Sequence, residues 1–120
     1  MKGIGTDIIE INRIERALAH HKERFCHKLF TEKERAHGHT HSFPAPFFAG
    51  RFAAKEAISK ALGTGIGQAL SWLDMEILPN SKGQPLVTFS ERVHAQWNDL
   101  TVLLSISHCK AYATAVAFCF

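Results

Sequence analysis

Charged residues recur at helical spacing among small apolar ones in the middle of the chain, over residues 50–63. Ala, Leu, Lys and Glu dominate this segment, no proline interrupts it and Gly63 can end it, so the pattern predicts a helix. At about 100° per residue, Glu56 and Lys60 lie one turn apart on one face. A carboxylate in such apolar surroundings needs a cation, which is either a side chain, as in a Glu56–Lys60 ion pair, or a metal.

The rest of this predicted central helix is unlike a solvated surface helix. Arg51, Lys55 and Ser59 share a second face. Small side chains form a stripe that lets a sheet or a second helix approach closely; its members are Ala54, Ala57 and Ala61.

The beginning of the chain predicts a strand followed by a helix. Residues 2–9 alternate as a β-strand does, and Asp7 shares its face with Gly3 and Gly5, so a backbone or a ligand can come close to it. A lone aspartate near a strand end is also typical of a cap or a turn. Residues 10–25 then show the periodicity of a helix with one apolar stripe.

A row of basic residues follows the opposite face of this first helix. Its members are Arg13, Arg16, His20 and Arg24. Such a row is typical of a solvated face, and a second interpretation is that it receives an acidic helix of a partner protein.

A loop of Gly, Pro, Ser and His over residues 37–46 precedes the central helix. Thr31 and Glu34 match a capping box, which predicts a short helix before this loop. The alternating histidines of the loop suggest a metal site. No Cys or carboxylate accompanies them at ligand spacing, however, so we expect a variable loop instead.

The second half of the chain predicts four strands and one helix. In chain order these are strands over residues 71–78 and 84–89, joined by a turn at 80–83, a helix over 91–98 capped by Ser90, and strands over 101–107 and 111–120. Both faces of the last strand are apolar, which hints at a subunit interface. The order β-α-α-α-β-β-α-β-β predicts a single α+β domain over residues 1–120, with a mainly antiparallel sheet packed on the long central helix.

Composition narrows the class of protein. The chain has 120 residues, 46% hydrophobic and 21% charged, which is ordinary for a globular protein, and no apolar run approaches the length of a membrane span. A net charge of +3 is too small to argue for nucleic-acid binding. Three scattered cysteines and an N-terminus unlike a signal peptide predict a reducing, cytoplasmic location.

Asp7 and Glu56 are the carboxylates best placed for chemistry, because a sheet packed on the central helix would bring them face to face. Two hard oxygen ligands with room for water suit Mg²⁺, which takes the rest of its shell from water and substrate phosphates. Lys60 can stabilise charge on a phosphoryl group, so the three together indicate phosphoryl transfer. His108, at a strand end, can hydrogen-bond a phosphate, although such a histidine is more often a plain surface residue.

Four segments of the sequence carry a resemblance to a known family. They are GIGTDIIEI at residues 3–11, AGRFAAKEA at 49–57, GTGIG at 63–67 and SISH at 105–108. Any one alone would be a weak signal. Together, in this order and over nearly the whole chain, they closely resemble the holo-acyl-carrier-protein synthases, the short-chain type of the 4′-phosphopantetheinyl transferase family.

The resemblance implies an enzyme of fatty acid biosynthesis with the fold of that family. It would move the phosphopantetheine arm of coenzyme A onto a serine of apo acyl carrier protein and release adenosine 3′,5′-bisphosphate. The resemblance also implies Mg²⁺, held on the pyrophosphate by Asp7 and Glu56, with Lys60 near the α-phosphate. Family members resemble one another in forming homotrimers with sites between subunits, which agrees with the apolar last strand.

Further residue roles follow from the resemblance alone. Contacts to coenzyme A are implied for Arg51, Lys60, Gly65, Ser107 and His108. The acidic carrier protein is expected to meet the first helix at Arg13, with Arg16 and Arg24 beside it.

The loop before the central helix departs from the family, whose members often carry Lys or Arg there to hold coenzyme A phosphates. This chain has Ser-Phe-Pro-Ala-Pro at residues 42–46, so anchoring of the 3′-phosphate is expected to pass to nearby histidines. The proton acceptor for the serine is left open among a water on the metal, Glu56 and Asp7. Two other classes of function stay open: a non-catalytic basic module that binds an acidic protein or nucleic acid without a divalent metal, and a metal carrier built on the histidine loop.

Overall fold

The computed structural model describes residues 3–120, apart from the side chain of Lys22. In chain order the elements are β1 (Gly3–Glu10), α1 (Ile11–Leu29), α2 (Glu32–Gly38), α3 (Ala45–Leu62), β2 (Met75–Pro79), β3 (Pro85–Phe89), α4 (Glu91–Gln96), β4 (Val102–His108) and β5 (Tyr112–Cys119). Residue 2, where the first strand was expected to begin, lies outside the described residues. The element order agrees with the predicted one.

The strands pair in two sheets, both antiparallel. A three-stranded sheet has the order β1-β5-β4, and β2 pairs with β3 in a separate hairpin. The hairpin turn is stabilised by residues within it. Oδ1 of Asn80 accepts hydrogen bonds from the N–H groups of Lys82 and Gln84, both at 2.9 Å, and Gly83 takes a positive φ of 83°. The α+β class and the antiparallel pairing are thus confirmed, with two sheets rather than one.

Helix α3 forms the centre of the core because almost every side of it is apolar or small. Ala54 and Ala57 are fully buried. Strand β1 approaches so closely that a Cβ on Gly5 would lie 2.0 Å from the carbonyl oxygen of Ala57, and one on Gly3 would lie 2.0 Å from that of Ala61. The close approach expected from the small-residue stripe is confirmed, and it sets the distance between α3 and β1.

Several element boundaries differ from the predicted ones. Helix α3 begins at Ala45, earlier than expected, because Pro44 and Pro46 suit the first turn of a helix, where N–H groups have no helical partner. It ends as predicted, at Gly63, which takes a φ of 77°. Helix α1 is longer than predicted and continues to Leu29.

Residues 71–74 were expected to be part of a strand, and this was wrong. Trp72–Asp74 form a 3-10 turn, in which the Asp74 carboxylate accepts the N–H of Ser71 at 2.8 Å. Ser90 takes the N-cap position of α4, but its hydroxyl donates to Oδ1 of Asp74 at 2.6 Å instead of capping the helix. A buried carboxylate is the stronger acceptor, so the tertiary contact replaces the local one. Helix α4 also ends early, at Gln96.

The outer face of the three-stranded sheet is apolar and exposed. Side chains alternate along β5, so that Ala113, Ala115 and Ala117 are buried on the side of α3 and the intervening residues face away from it. The exposed apolar side chains of the outer face, with that of the neighbouring C-terminal residue, are Ile4, Ile8, Leu103, Val116, Phe118 and Phe120. The last strand is therefore covered on one side only within the described part of the chain.

Candidate functional site

Asp7, Glu56 and Lys60 come together where β1 passes under α3. Asp7 lies on the same face of β1 as the two glycines, and Lys60 reaches across to it: Nζ lies 3.1 Å from Oδ1 of Asp7 and 3.0 Å from the carbonyl oxygen of Thr6. The ion pair between Glu56 and Lys60, which the helical spacing also allowed, is not formed among residues 3–120. Lys60 pairs with the strand aspartate instead.

Glu56 is half-buried and carries a perturbed carboxyl group. Burial raises the pKa of Glu56, the negative charge of Asp7 raises it further, and Lys60 lowers it. The two carboxylates are thus close enough to repel each other. A cation shared between them would relieve this repulsion, because it favours the ionised form of both.

The donor set fits a divalent cation that keeps most of its shell as water. Within residues 3–120, no group of three or more His, Cys, Asp or Glu side chains is arranged to hold a metal. Asp7 and Glu56 would supply two hard oxygen ligands, and water and phosphate oxygens would supply the others, as suits Mg²⁺. The described histidines of the loop are likewise not part of any such group.

A second charged pair, formed by Lys55 and Glu34, lies in the core. Lys55 directly precedes Glu56 in the sequence, but its side chain points away from the candidate site. Nζ of Lys55 donates to Oε1 of Glu34 at 2.7 Å, to the carbonyl oxygen of Leu29 at 2.7 Å and to that of Trp72 at 3.1 Å. Both charged side chains are fully buried. Burial lowers the pKa of Lys55, and the carboxylate of Glu34 offsets part of this decrease. All three donors of the ammonium group are therefore used.

Glu34 connects the same lysine to two further segments. Its Oε1 accepts the N–H of Thr31 at 2.8 Å, which completes the predicted capping box, and its Oε2 accepts the N–H of Ile77 at 2.8 Å. The sequence predicts Glu34 only as a capping residue and predicts no partner for Lys55. The signal for the pair was present: a lysine placed among alanines on a mostly apolar helix needs a buried anion.

Arg51 and His108 line a pocket of about 340 Å³ together with His41 of the histidine loop. The guanidinium carbon of Arg51 lies 4.3 Å from the centre of the Phe47 ring, and its Nε donates to the carbonyl oxygen of Ile77 at 3.3 Å. Burial lowers the pKa of Arg51, but an arginine starts from so high a value that it stays cationic at neutral pH. The other lining residues are Phe43, Pro46, Phe47, Gly50 and Ile106.

Three predicted coenzyme A contacts, Ser107, Gly65 and Lys60, do not line this pocket. Ser107 and His108 are neighbours in a strand, so their side chains point to opposite faces, and Ser107 is exposed on the outer face of the sheet. The N–H of Gly65 donates to the carbonyl oxygen of Ser59 at 3.2 Å and helps to end α3. An N–H contact from Gly65 to a phosphate would have to replace that bond. Asp7 and Glu56 also lie outside this pocket.

The remaining predicted positions lie on α1. Arg13, Arg16 and Arg24 are exposed, while Ile11 and Ile14 on the opposite side are buried. A larger, mostly apolar cavity of about 520 Å³ between α1 and α2 contains none of the predicted site residues. None of the helices in the described part of the chain has the length and apolar character needed to span a membrane.

The sequence matches the model of the 4′-phosphopantetheinyl transferase superfamily over residues 3–117. The chain therefore belongs to the 4′-phosphopantetheinyl transferase superfamily. It is 54% identical, over 114 residues, to the holo-[acyl-carrier-protein] synthase of Chlamydia caviae, and the match covers 95% of this chain and 93% of that relative.

Solved structures of similar proteins share the fold as well as the sequence. The holo-(acyl-carrier-protein) synthase of Bacillus anthracis, in complex with CoA (3′,5′-ADP), is 44% identical with a TM-score of 0.84, over 98% of this chain and 94% of that one. The Helicobacter pylori synthase, in complex with coenzyme A, is 37% identical with a TM-score of 0.86, over 95% and 96% of the two chains. The fold predicted from the sequence resemblance is confirmed.

Proposed function

We propose that this protein transfers the 4′-phosphopantetheine group of coenzyme A to a serine of apo acyl carrier protein, releasing adenosine 3′,5′-bisphosphate. The observation that carries the proposal is the meeting of Asp7, Glu56 and Lys60 in a chain 54% identical to a relative named for this reaction. Residues 1–120 act as one catalytic domain in this proposal, in the cytoplasm and in the service of fatty acid biosynthesis.

The chemistry of the three residues suits transfer from a diphosphate. When bound, Mg²⁺ would neutralise charge on the diphosphate oxygens, and Asp7 and Glu56 are the residues that would hold it. Lys60 is half-exposed and only 3.1 Å from Asp7, so its ammonium group can exchange that partner for a phosphate oxygen. There it would stabilise the negative charge that develops as the bond to phosphorus breaks.

Arg51 and His108 are assigned to the nucleotide part of coenzyme A, because their pocket combines the Arg51 guanidinium with aromatic walls. This pocket is separate from the Asp7 cluster within one chain. We therefore propose a homotrimer in which the apolar outer faces of the three-stranded sheets meet and a complete site is built from two subunits. Ser107 lies on that outer face, and Gly65 follows α3 near Lys60; both are proposed as coenzyme A contacts.

The acceptor is proposed to dock on α1. Acyl carrier protein is acidic, and Arg13, Arg16 and Arg24 present cationic groups to solvent on one helix. Such rows steer an acidic partner and set its register more than they add raw affinity.

The direct test is mass spectrometry of apo acyl carrier protein after incubation with the protein, coenzyme A and Mg²⁺. We expect the carrier to gain the mass of one phosphopantetheine group, and the gain to be lost when a chelator is added or when the acceptor serine is replaced by alanine. A folded protein that produces no gain overturns the proposal. Salt-sensitive binding of the carrier with no need for a divalent metal would favour the non-catalytic module instead.

A further inference from the structure

His41 brings an imidazole into the Arg51–His108 pocket from the loop in which this chain has neither lysine nor arginine. It lines the pocket, whereas residues 42–46 contribute only the uncharged side chains of Phe43 and Pro46. The loop thus retains one group there that is able to carry a positive charge.

The hydrogen bonds of His41 determine which ring nitrogen carries its proton. Nδ1 lies 3.2 Å from the carbonyl oxygen of Gly38 and 3.3 Å from that of His37. Carbonyl oxygens only accept, so Nδ1 must be the donor. In a neutral ring Nε2 is then a bare acceptor, which repels an anion, and in a protonated ring it becomes a charged donor, which binds one.

The surroundings of His41 favour an anion. The ring packs on Phe47 of α3, with centroids 5.1 Å apart, and meets His37 of α2 at 5.5 Å. The other titratable or charged groups that line the pocket are Arg51 from α3 and His108 from β4. No carboxylate is among the described residues that line it, so nothing negative opposes an incoming phosphate.

We propose that protonated His41, together with Arg51, binds the phosphomonoester of coenzyme A, with Nε2 of the imidazolium donating to a phosphate oxygen. This inference rests on the proposed function. The monoester is the matching group because the diphosphate is assigned to the separate Asp7–Glu56–Lys60 cluster. The fit is to a phosphate on a nucleotide, since Phe43 and Phe47 give the same pocket aromatic walls.

The test is isothermal titration of the full chain with coenzyme A and with 3′-dephospho-coenzyme A, at about pH 6 and about pH 8. Four proteins are compared: the wild type, His41→Ala, His41→Arg, and His39→Ala as a matched control. His39 belongs to the same loop, but its ring packs on Phe48, at 5.3 Å between centroids, and it does not line this pocket.

For coenzyme A we expect His41→Ala to lose roughly tenfold in affinity at the lower pH, as befits one charge-assisted hydrogen bond, and little at the higher pH. Its affinity for 3′-dephospho-coenzyme A should match that of the wild type, and His39→Ala should behave as the wild type throughout. A His41→Arg variant, which keeps a cation at this position, should bind coenzyme A more tightly than His41→Ala at both pH values. It also serves as the test if His41→Ala does not fold.

Contrary results separate this inference from the proposed function. If the wild type binds coenzyme A and His41→Ala binds it equally well at the lower pH, the role of His41 is refuted and the transferase proposal stands. An equal loss for both ligands would also refute it, because the missing interaction would then not involve the monoester. A wild type that binds no coenzyme A overturns both proposals.

Discussion

The ammonium group of Lys55 lies 2.7 Å from the Glu34 carboxylate in the core, while Glu56, the next residue, lies in the candidate site. The pair joins α2 to α3, and its hydrogen bonds extend to the end of α1, the 3-10 turn and β2. These bonds offset the cost of removing two charges from water. They also fix the rotation of α3 about its axis, and so the side on which Glu56 and Lys60 emerge.

Lys55→Met should strongly destabilise the fold, because it leaves the Glu34 carboxylate buried without its cation. Loss of one partner of a buried pair typically costs about 3–5 kcal/mol in the free energy of unfolding. Lys60→Met is the matched control: this lysine is on the same helix but half-exposed, and its loss should cost less than about 1 kcal/mol. Urea denaturation of both variants measures the difference, and equal costs would refute a structural role for the buried pair.

Glu56→Gln should remove activity without weakening the fold. Burial and the charge of Asp7 raise the pKa of Glu56 in the folded protein, so its contribution to stability is present at low pH and is lost as the pH rises through that raised pKa. A neutral glutamine avoids this loss, and its Tm at neutral pH should equal or exceed that of the wild type. Turnover should fall by roughly a hundredfold or more. A clearly lower Tm would instead indicate that the carboxylate stabilises the fold.

Asp74→Asn should remove part of the acid sensitivity of the fold. Burial alone would raise the pKa of Asp74, but hydrogen bonds from Arg92, Ser90 and Ser71 hold it well below its usual range. The stability that these bonds provide is present above about pH 4 and is lost as the pH falls.

The Asn variant should lose about 2 kcal/mol at neutral pH and show a shallower fall in acid. Chemical denaturation at a series of pH values measures this. Glu91→Gln makes the same charge change at an exposed site and should leave the profile unchanged; parallel profiles for wild type and Asp74→Asn would contradict the assignment.

Phe118→Asp should dissociate the proposed homotrimer. Phe118 is 43% exposed on the outer sheet face, and a charge introduced there would be buried against apolar side chains in the proposed assembly. Leu86→Asp is the control, because Leu86 is 52% exposed on the separate hairpin. Light scattering should show trimers for the wild type and Leu86→Asp and monomers for Phe118→Asp, with activity lost on dissociation. A monomeric wild type with full activity would rule out the shared site.

Arg13→Glu should weaken use of the carrier protein and leave coenzyme A binding unchanged. Reversing one exposed charge on the proposed docking helix should raise KM for acyl carrier protein roughly tenfold at low salt, with a smaller effect at high salt. Lys82→Glu, on the exposed hairpin turn, makes the same charge change elsewhere. Equal effects of the two variants would show that only net charge matters.

Features with a local cause could be predicted from the sequence. The capping box of Thr31 and Glu34, the helix end at Gly63 and the alternation of the last strand each depend on residues a few positions apart. The position of the site could be predicted for a similar reason. Glycines on the face of Asp7 and alanines beside Glu56 predict that the strand and the helix pack closely.

Partners distant in sequence were decided by the tertiary structure. Helical spacing predicts that Lys60 could pair with Glu56, but the strand packed on α3 places Asp7 close enough for Lys60 to pair with it instead. The hydroxyl of Ser90 donates to Asp74 instead of capping its helix, and Glu34 forms an ion pair with Lys55 across the core. Periodicity along a chain determines which face a residue occupies, because that depends on backbone geometry alone. Which charged residues form ion pairs depends on how the elements pack, since a buried charge is stabilised only by the groups that tertiary packing places next to it.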